Sequence, residues 1–329
     1  TMDNKVTVIG VKESGKTTYL TGMYICMSMG VKNFSLFAKD PSQDMYLEKL
    51  WDMINNGDKP DPSDKTEKYK FHIAHNYKPV MDFDWMDYPG GILAQPNTPE
   101  CEALIRDVKD SDCLLLILNG ELFANIQAQD VAEYKECVIK KLSIDKGIRE
   151  ELRMFQRLSK DDVKLPPVGI VVTKCDLIPK TYQSTIQDII RETFDQLIDA
   201  SERIILPMSV TLGGKLEPGF TPNPYNVEQP IAFAVLNILM KYLLAAKIQN
   251  AQNQNYIVNH SGFLKSIFNS GKIDKAKQNS KTLGEAIDKF SGDAYELIEL
   301  FSESKVIYVD GKEKNLRDYY KEAFRAVAR

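Results

Sequence analysis

The sequence predicts an α/β protein: a mostly parallel sheet flanked by helices, carrying a small, mainly helical C-terminal appendage. Three observations predict it. Continuous apolar runs of strand length, such as 113–119 and 168–173, suit strands buried on both faces. Helical patterns lie between those runs, and alternating strands and helices imply right-handed crossovers within one sheet. A chain of 329 residues, 43% of them apolar, is long enough to bury a substantial core.

The expected strands are 5–9, 34–38, 69–74, 80–86, 113–119, 168–173 and 203–209. Segments 34–38 and 69–74 read as edge strands or as loop. Helical patterns cover 17–29, 43–55, 100–109, 126–142, 145–158 and 182–200. The Gly- and Pro-rich segment 213–230 reads as a long surface connection. It leads into a helix at 231–249, whose apolar stretch 231–246 is shorter than a membrane span and contains Asn237 and Lys241. A buried helix is therefore expected there. The polar run NAQNQN then divides a main domain, 1–250, from a C-terminal part, 251–329. That part contains an amphipathic helix at 283–301 and, at Asp310-Gly311, a hairpin signal. It reads as an appendage separate from the main sheet.

Composition narrows the function. The formal charge of −4 offers no basic field for nucleic acid or an anionic membrane, and the lysines of 265–281 read as a solvated helix face. Five cysteines, scattered without a CxxC pair, read as free thiols in a reducing compartment. The three histidines, His72, His75 and His260, lie in no zinc-like spacing. With no leader pattern before the first strand, the expectation is a cytoplasmic protein without a membrane span.

Residues 6–18 read VTVIGVKESGKTT. Gly10, Gly15, Lys16 and Thr17 fit G-x-x-x-x-G-K-[ST], with a buried strand leading in and a helix leading out. The glycines let the backbone wrap an anion at a helix N-terminus. Lys12, Glu13, Ser14 and Thr18 complete the candidate nucleotide-binding loop. Lys16 is placed to reach the β- and γ-phosphates, and the Thr17 hydroxyl to bind Mg²⁺. Three more stretches follow strands: DYPGG at 87–91, TKCD at 173–176, and Ser209 in MSV after RIILP.

In this order the motifs resemble those of TRAFAC-class P-loop GTPases, over about residues 5–250. The resemblance implies a P-loop fold that binds GTP or GDP with Mg²⁺. It makes Asp87 the metal carboxylate, and Gly90 the residue whose N–H meets the γ-phosphate. Asp82 and Asp84 are rival acids, but the glycine spacing belongs to Asp87. TKCD is similar to the guanine-specificity motif [NT]-K-x-D, with Thr173 where Asn is commoner. Asp176 can accept the N1–H and 2-amino donors of guanine, a pair adenine lacks. The Lys174 stem can pack along the base. Ser209 stands where such proteins place a serine near guanine O6. Switch I should add a hydroxyl to the metal, with Thr66 the first choice and Ser63 the second.

Stretches including SGKTTYLTGMY and PYNVEQPIAFAVLNIL also resemble the bacterial double-GTPase group of conflict and defence systems. That implies a protein partner, such as another GTPase or a second copy. Small regulatory GTPases place Gln directly after D-x-x-G. Here Gly91 stands there, and Gln95 is four residues beyond Gly91. Slow, partner-stimulated hydrolysis is therefore expected, with Lys16, Thr66, Gly90 and Lys12 as catalytic candidates. Lys12 reads either as a cation supplied in cis to the γ-phosphate or as a lysine pointing to solvent. Two functions compete: a GTP-dependent switch, and an assembly protein in which hydrolysis is dispensable. Asp176 opposes a third, an ATPase or small-molecule kinase.

Overall fold

A computed structural model describes residues 4–61, 63–160, 164–250 and 283–328. Most of NAQNQN, His260 and the lysines of 265–281 lie outside the described residues. The elements run β1 (Lys5–Gly10), α1 (Lys16–Ser28), β2 (Phe34–Ala38), α2 (Pro41–Asn55), β3 (Glu67–His75), β4 (Lys78–Asp87) and α3 (Pro99–Asp110). Next come β5 (Cys113–Asn119), α4 (Val131–Ile144), α5 (Lys146–Lys160), β6 (Val168–Thr173), α6 (Lys180–Gln183), α7 (Ile186–Thr193) and α8 (Asp195–Ile198). The chain closes with β7 (Ile204–Ser209), α9 (Gln229–Asn250), α10 (Leu283–Ile298), β8 (Val306–Val309), β9 (Lys312–Asn315) and α11 (Leu316–Ala328).

Among the described residues the strands form one sheet of nine, in the order β2-β3-β4-β1-β5-β6-β7-β8-β9. Its centre, β4-β1-β5-β6-β7, is parallel, and the pairs at both ends are antiparallel. Strand pleating explains the apolar runs. Along β5, Cys113, Leu115 and Ile117 face the core shared with α1 and α9, while Leu114, Leu116 and Leu118 face the core shared with α4, α5 and α7. Both faces are covered, so neither face needs polar residues. Segments 34–38 and 69–74 are both strands: β2 forms one edge, and β3 lies inside it.

The apolar helix α9 is a core element, and among the described residues no helix is long and apolar enough to cross a membrane. The two polar residues that interrupt its apolar stretch have partners. Asn237 accepts from Tyr320, and Lys241 pairs with buried Asp112 at 3.0 Å. Two helices differ from expectation. Asp130 caps α4 through the Glu133 N–H, so the helix starts there and leaves 126–130 as loop. The expected helix at 182–200 is three short pieces. Thr185 returns its hydroxyl to Tyr182 O, and Phe194 leaves helical geometry with its ring buried.

The C-terminal part is not separate from the sheet. Its expected hairpin is present as β8-β9, but β8 pairs antiparallel with β7 and extends the main sheet. Helices α10 and α11 pack on α9, where Leu297, Ile298, Phe301, Tyr320 and Phe324 join the core. The physical reason is burial: the apolar face of an amphipathic helix needs a partner, and α9 is apolar all round. The division placed at residue 250 falls beside 251–282, outside the described residues. Segment 213–230 is also more than a surface loop, since Phe220 and Val227 are buried.

Candidate functional site

The C-terminal ends of the parallel strands gather the motif residues, as expected for an open α/β sheet. β1 delivers Gly10, the loop turns through Glu13 at φ 63°, and α1 starts at Lys16. The Lys16 ammonium donates to Gly10 O at 3.0 Å and Val11 O at 3.4 Å. Burial lowers its pKa, opposed by the charges of Asp87 and Glu151. Ser14 Oγ is buried in the loop without a hydrogen-bond partner. Thr17 and Thr18 occupy the first turn of α1, half-buried.

Asp87 ends β4 beside Val8 of β1, and its carboxylate is buried with Oδ1 unpartnered. Burial pushes its pKa up to about 7, against the pull of Lys16. A buried carboxylate with an orphaned oxygen, facing a phosphate loop, fits a divalent cation. The antiparallel register pairs Asp87 with Glu67, the first residue of β3, which puts Thr66 immediately before that strand. Ser63 is turned to Lys65 O at 2.6 Å. The rival acids are engaged elsewhere: Asp82 with Lys39 and His72, Asp84 with Lys68. Gly90 lies directly on the phosphate loop. A Cβ there would sit 2.5 Å from Lys12 Cα and 2.6 Å from Lys12 N, so only glycine fits.

At the other end of the loop, Thr173 is a clamp. Its hydroxyl, placed between Ser14 O at 2.6 Å and Leu118 O at 3.1 Å, joins the phosphate loop to β5. Lys174, at φ 52°, reaches Glu13 O at 3.4 Å and pairs with Glu121 at 2.6 Å. Asp176 is exposed. One of its oxygens accepts from Thr211 Oγ1, and the other from Gly214 N at 3.0 Å. Ser209 is half-buried at the end of β7, and its carbonyl accepts from Asn226 at 3.4 Å.

Three residues escaped the motif reading: Thr211, Glu121 and Glu151. Thr211 lies two positions past Ser209 and is the hydroxyl on Asp176. Glu121 orients Lys174 from the end of β5. Glu151 is buried on α5, one turn beyond Gly147, where an added Cβ would overlap Val11 of the phosphate loop. Its Oε2 has no hydrogen-bond partner, and burial pushes its pKa up to about 8 against the charge of Lys16. No motif marks such a residue; only the i, i+4 spacing from Gly147 hints at a shared helix face. Among the catalytic candidates, Lys12 is exposed. Gln95 is exposed too, and an added Cβ at Gly91 would meet nothing within 4 Å.

The family model described as Double-GTPase 2 matches residues 4–210. No curated protein matches the chain. Among solved structures, the chain is similar to the signal recognition particle receptor SRb-GTP/SRX complex from Chaetomium thermophilum, at 17% identity and a TM-score of 0.36, covering 67% of this chain and 94% of that one. It is also similar to the bacterial selenocysteine-specific elongation factor EF-Sec, at 11% identity and a TM-score of 0.33, covering 64% of this chain. The chain spans only 26% of that factor's length. The family match covers more than half the chain and runs from β1 to the end of β7. The chain is therefore a P-loop GTPase of the Double-GTPase 2 family.

Proposed function

We propose that this GTPase is a nucleotide-dependent switch with slow intrinsic hydrolysis. The observation that carries the proposal is the seat of Gly90 on the Lys12 backbone. A γ-phosphate held by that loop must meet the Gly90 backbone, so its presence or loss is transmitted to 88–99. Lys16 draws on the phosphate charge, and Thr17 and Asp87, with Thr66, would hold Mg²⁺. When bound, the metal supplies neutralisation of charge on the phosphate oxygens. Asp176 selects guanine, Lys174 packs along the base, and Thr173 keeps the phosphate loop in place. The surroundings of Gly91 support slow hydrolysis: it carries no side chain to orient water, and Gln95 is exposed. A protein partner, another GTPase or a second copy, is then the source of the missing group, in keeping with a defence role in the cytoplasm.

The open space at Gly91 also favours a second reading, in which bound nucleotide is structural and the chain is an assembly protein. One experiment separates them. Purified protein loaded with GDP or with a non-hydrolysable GTP analogue is digested briefly with protease. A switch shows different cleavage within 57–68 and 88–99 in the two states; identical patterns sink the switch reading. Competition by ATP as strong as by GTP would remove guanine specificity as well.

A further inference from the structure

The connection after β7 holds two parts of the molecule at once. At its start, Thr211 and Gly214 grip the two oxygens of Asp176, and Gly213 N–H donates to Thr211 Oγ1 at 2.8 Å. Leu212 is seated on α1, where an added Cβ at Gly22 would lie 2.1 Å from its Cδ2. Further on, the backbone of Glu217 and Pro218 bears on Gly57, just past the end of α2. Gly57 sits at φ +86°, and an added Cβ would lie 2.1 Å from Glu217 O and 2.8 Å from Pro218 N. From Gly57 the chain runs on to Thr66.

We infer that residues 211–218 form a strap coupling the guanine subsite to the segment 57–66, so that loosening either end loosens the other. The inference rests on the guanine-nucleotide reading above. A carboxylate offers about four acceptor positions. The strap takes two at Asp176, which leaves two for the N1–H and 2-amino donors of guanine. Strap and base thus steady the same carboxylate, and each stabilises the other. Because the strap also rests on Gly57, a change at 57–66 reaches the base without passing through the phosphates. Such coupling is reciprocal by thermodynamic linkage.

Reciprocity sets the test, which has two arms on the full chain. The first perturbs the far end with Gly57→Ala and follows release of GDP carrying a fluorescent N-methylanthraniloyl label. Gly219→Ala is the control: Gly219 has φ +89°, but its added Cβ meets nothing within 4 Å. It imposes similar backbone strain with no overlap. Release from Gly57→Ala should be about tenfold faster, within the usual range for coupled sites, and release from Gly219→Ala within about twofold of the parent. The second arm perturbs the base end with Thr211→Val and measures hydrogen exchange without nucleotide. The reporters are the amides of Asn56, Gly57 and Asp58, which donate to Asp52 O, Ile54 O and Met53 O. Their exchange should rise about fivefold or more, and Thr211→Ser should restore it. Unchanged exchange in Thr211→Val, or equal release from the two glycine variants, overturns the strap. A parent chain that takes up no labelled GDP contradicts the guanine reading instead, while the exchange arm still decides the strap.

Discussion

Glu151 sits in surroundings that oppose its charge. It is buried, one oxygen lacks a partner, and its pKa lies near 8 rather than the ordinary 4.5. Between those values the folded chain keeps a proton that the unfolded chain releases. This contribution is therefore fully favourable below about pH 4.5, declines as pH rises, and levels off above about 8. Glu151→Gln keeps the shape and removes the ionisation. In nucleotide-free protein, urea midpoints followed from about pH 5 to about pH 9 should fall less steeply in the variant, which should be the more stable at the alkaline end. Parallel slopes for the two proteins would show that Glu151 does not titrate there. Lys12 is the contrasting case: exposed, with only its backbone against Gly90.

Among the elements, β6 shows how one side chain can join three parts of the site. The Thr173 hydroxyl lies within hydrogen-bond distance of carbonyls from the phosphate loop and from β5. Thr173→Val keeps the volume and leaves Ser14 O and Leu118 O without that donor. The expected cost is about 1–3 kcal/mol in denaturant unfolding, with faster nucleotide release from a looser loop. A variant as stable as the parent would mean that water replaces the hydroxyl. The segment after β7 is the second such element, since one short stretch touches Asp176, α1 and the end of α2.

For the whole molecule, the decisive contact is β8 against β7. Ile307 in β8 is fully buried, so Ile307→Ala should cost about 2–5 kcal/mol. Both tryptophans, Trp51 and Trp85, precede residue 100, so their fluorescence reports the N-terminal region alone. If the sheet unfolds as one unit, Ile307→Ala lowers the midpoint seen by tryptophan. An unchanged tryptophan midpoint would show that the C-terminal part unfolds by itself.

How much was legible in the sequence differs between fold and site. Periodicity and turn chemistry are local, so the central strands, most helices, the β8-β9 hairpin and the loop from Gly10 to Thr17 could be read directly. Asp176 and Asp87 could be found because their spacing to neighbouring residues is itself local. What depends on distant segments could not be read. The pairing of β8 with β7 brings together residues about a hundred positions apart. Thr211 reaches Asp176 only because β6 and β7 lie side by side, which carries the loops after them to the same edge of the sheet. Glu151 meets the charge of Lys16 only once α5 has packed on the phosphate loop. The sequence by itself determined an α/β chain with a G-x-x-x-x-G-K-T loop and a TKCD motif at a strand end, because those follow from backbone geometry and residue chemistry within short windows. Only the tertiary structure decided that the C-terminal segment extends the sheet and that 211–218 touch both Asp176 and Gly57, because those contacts arise from burying faces that no short window contains.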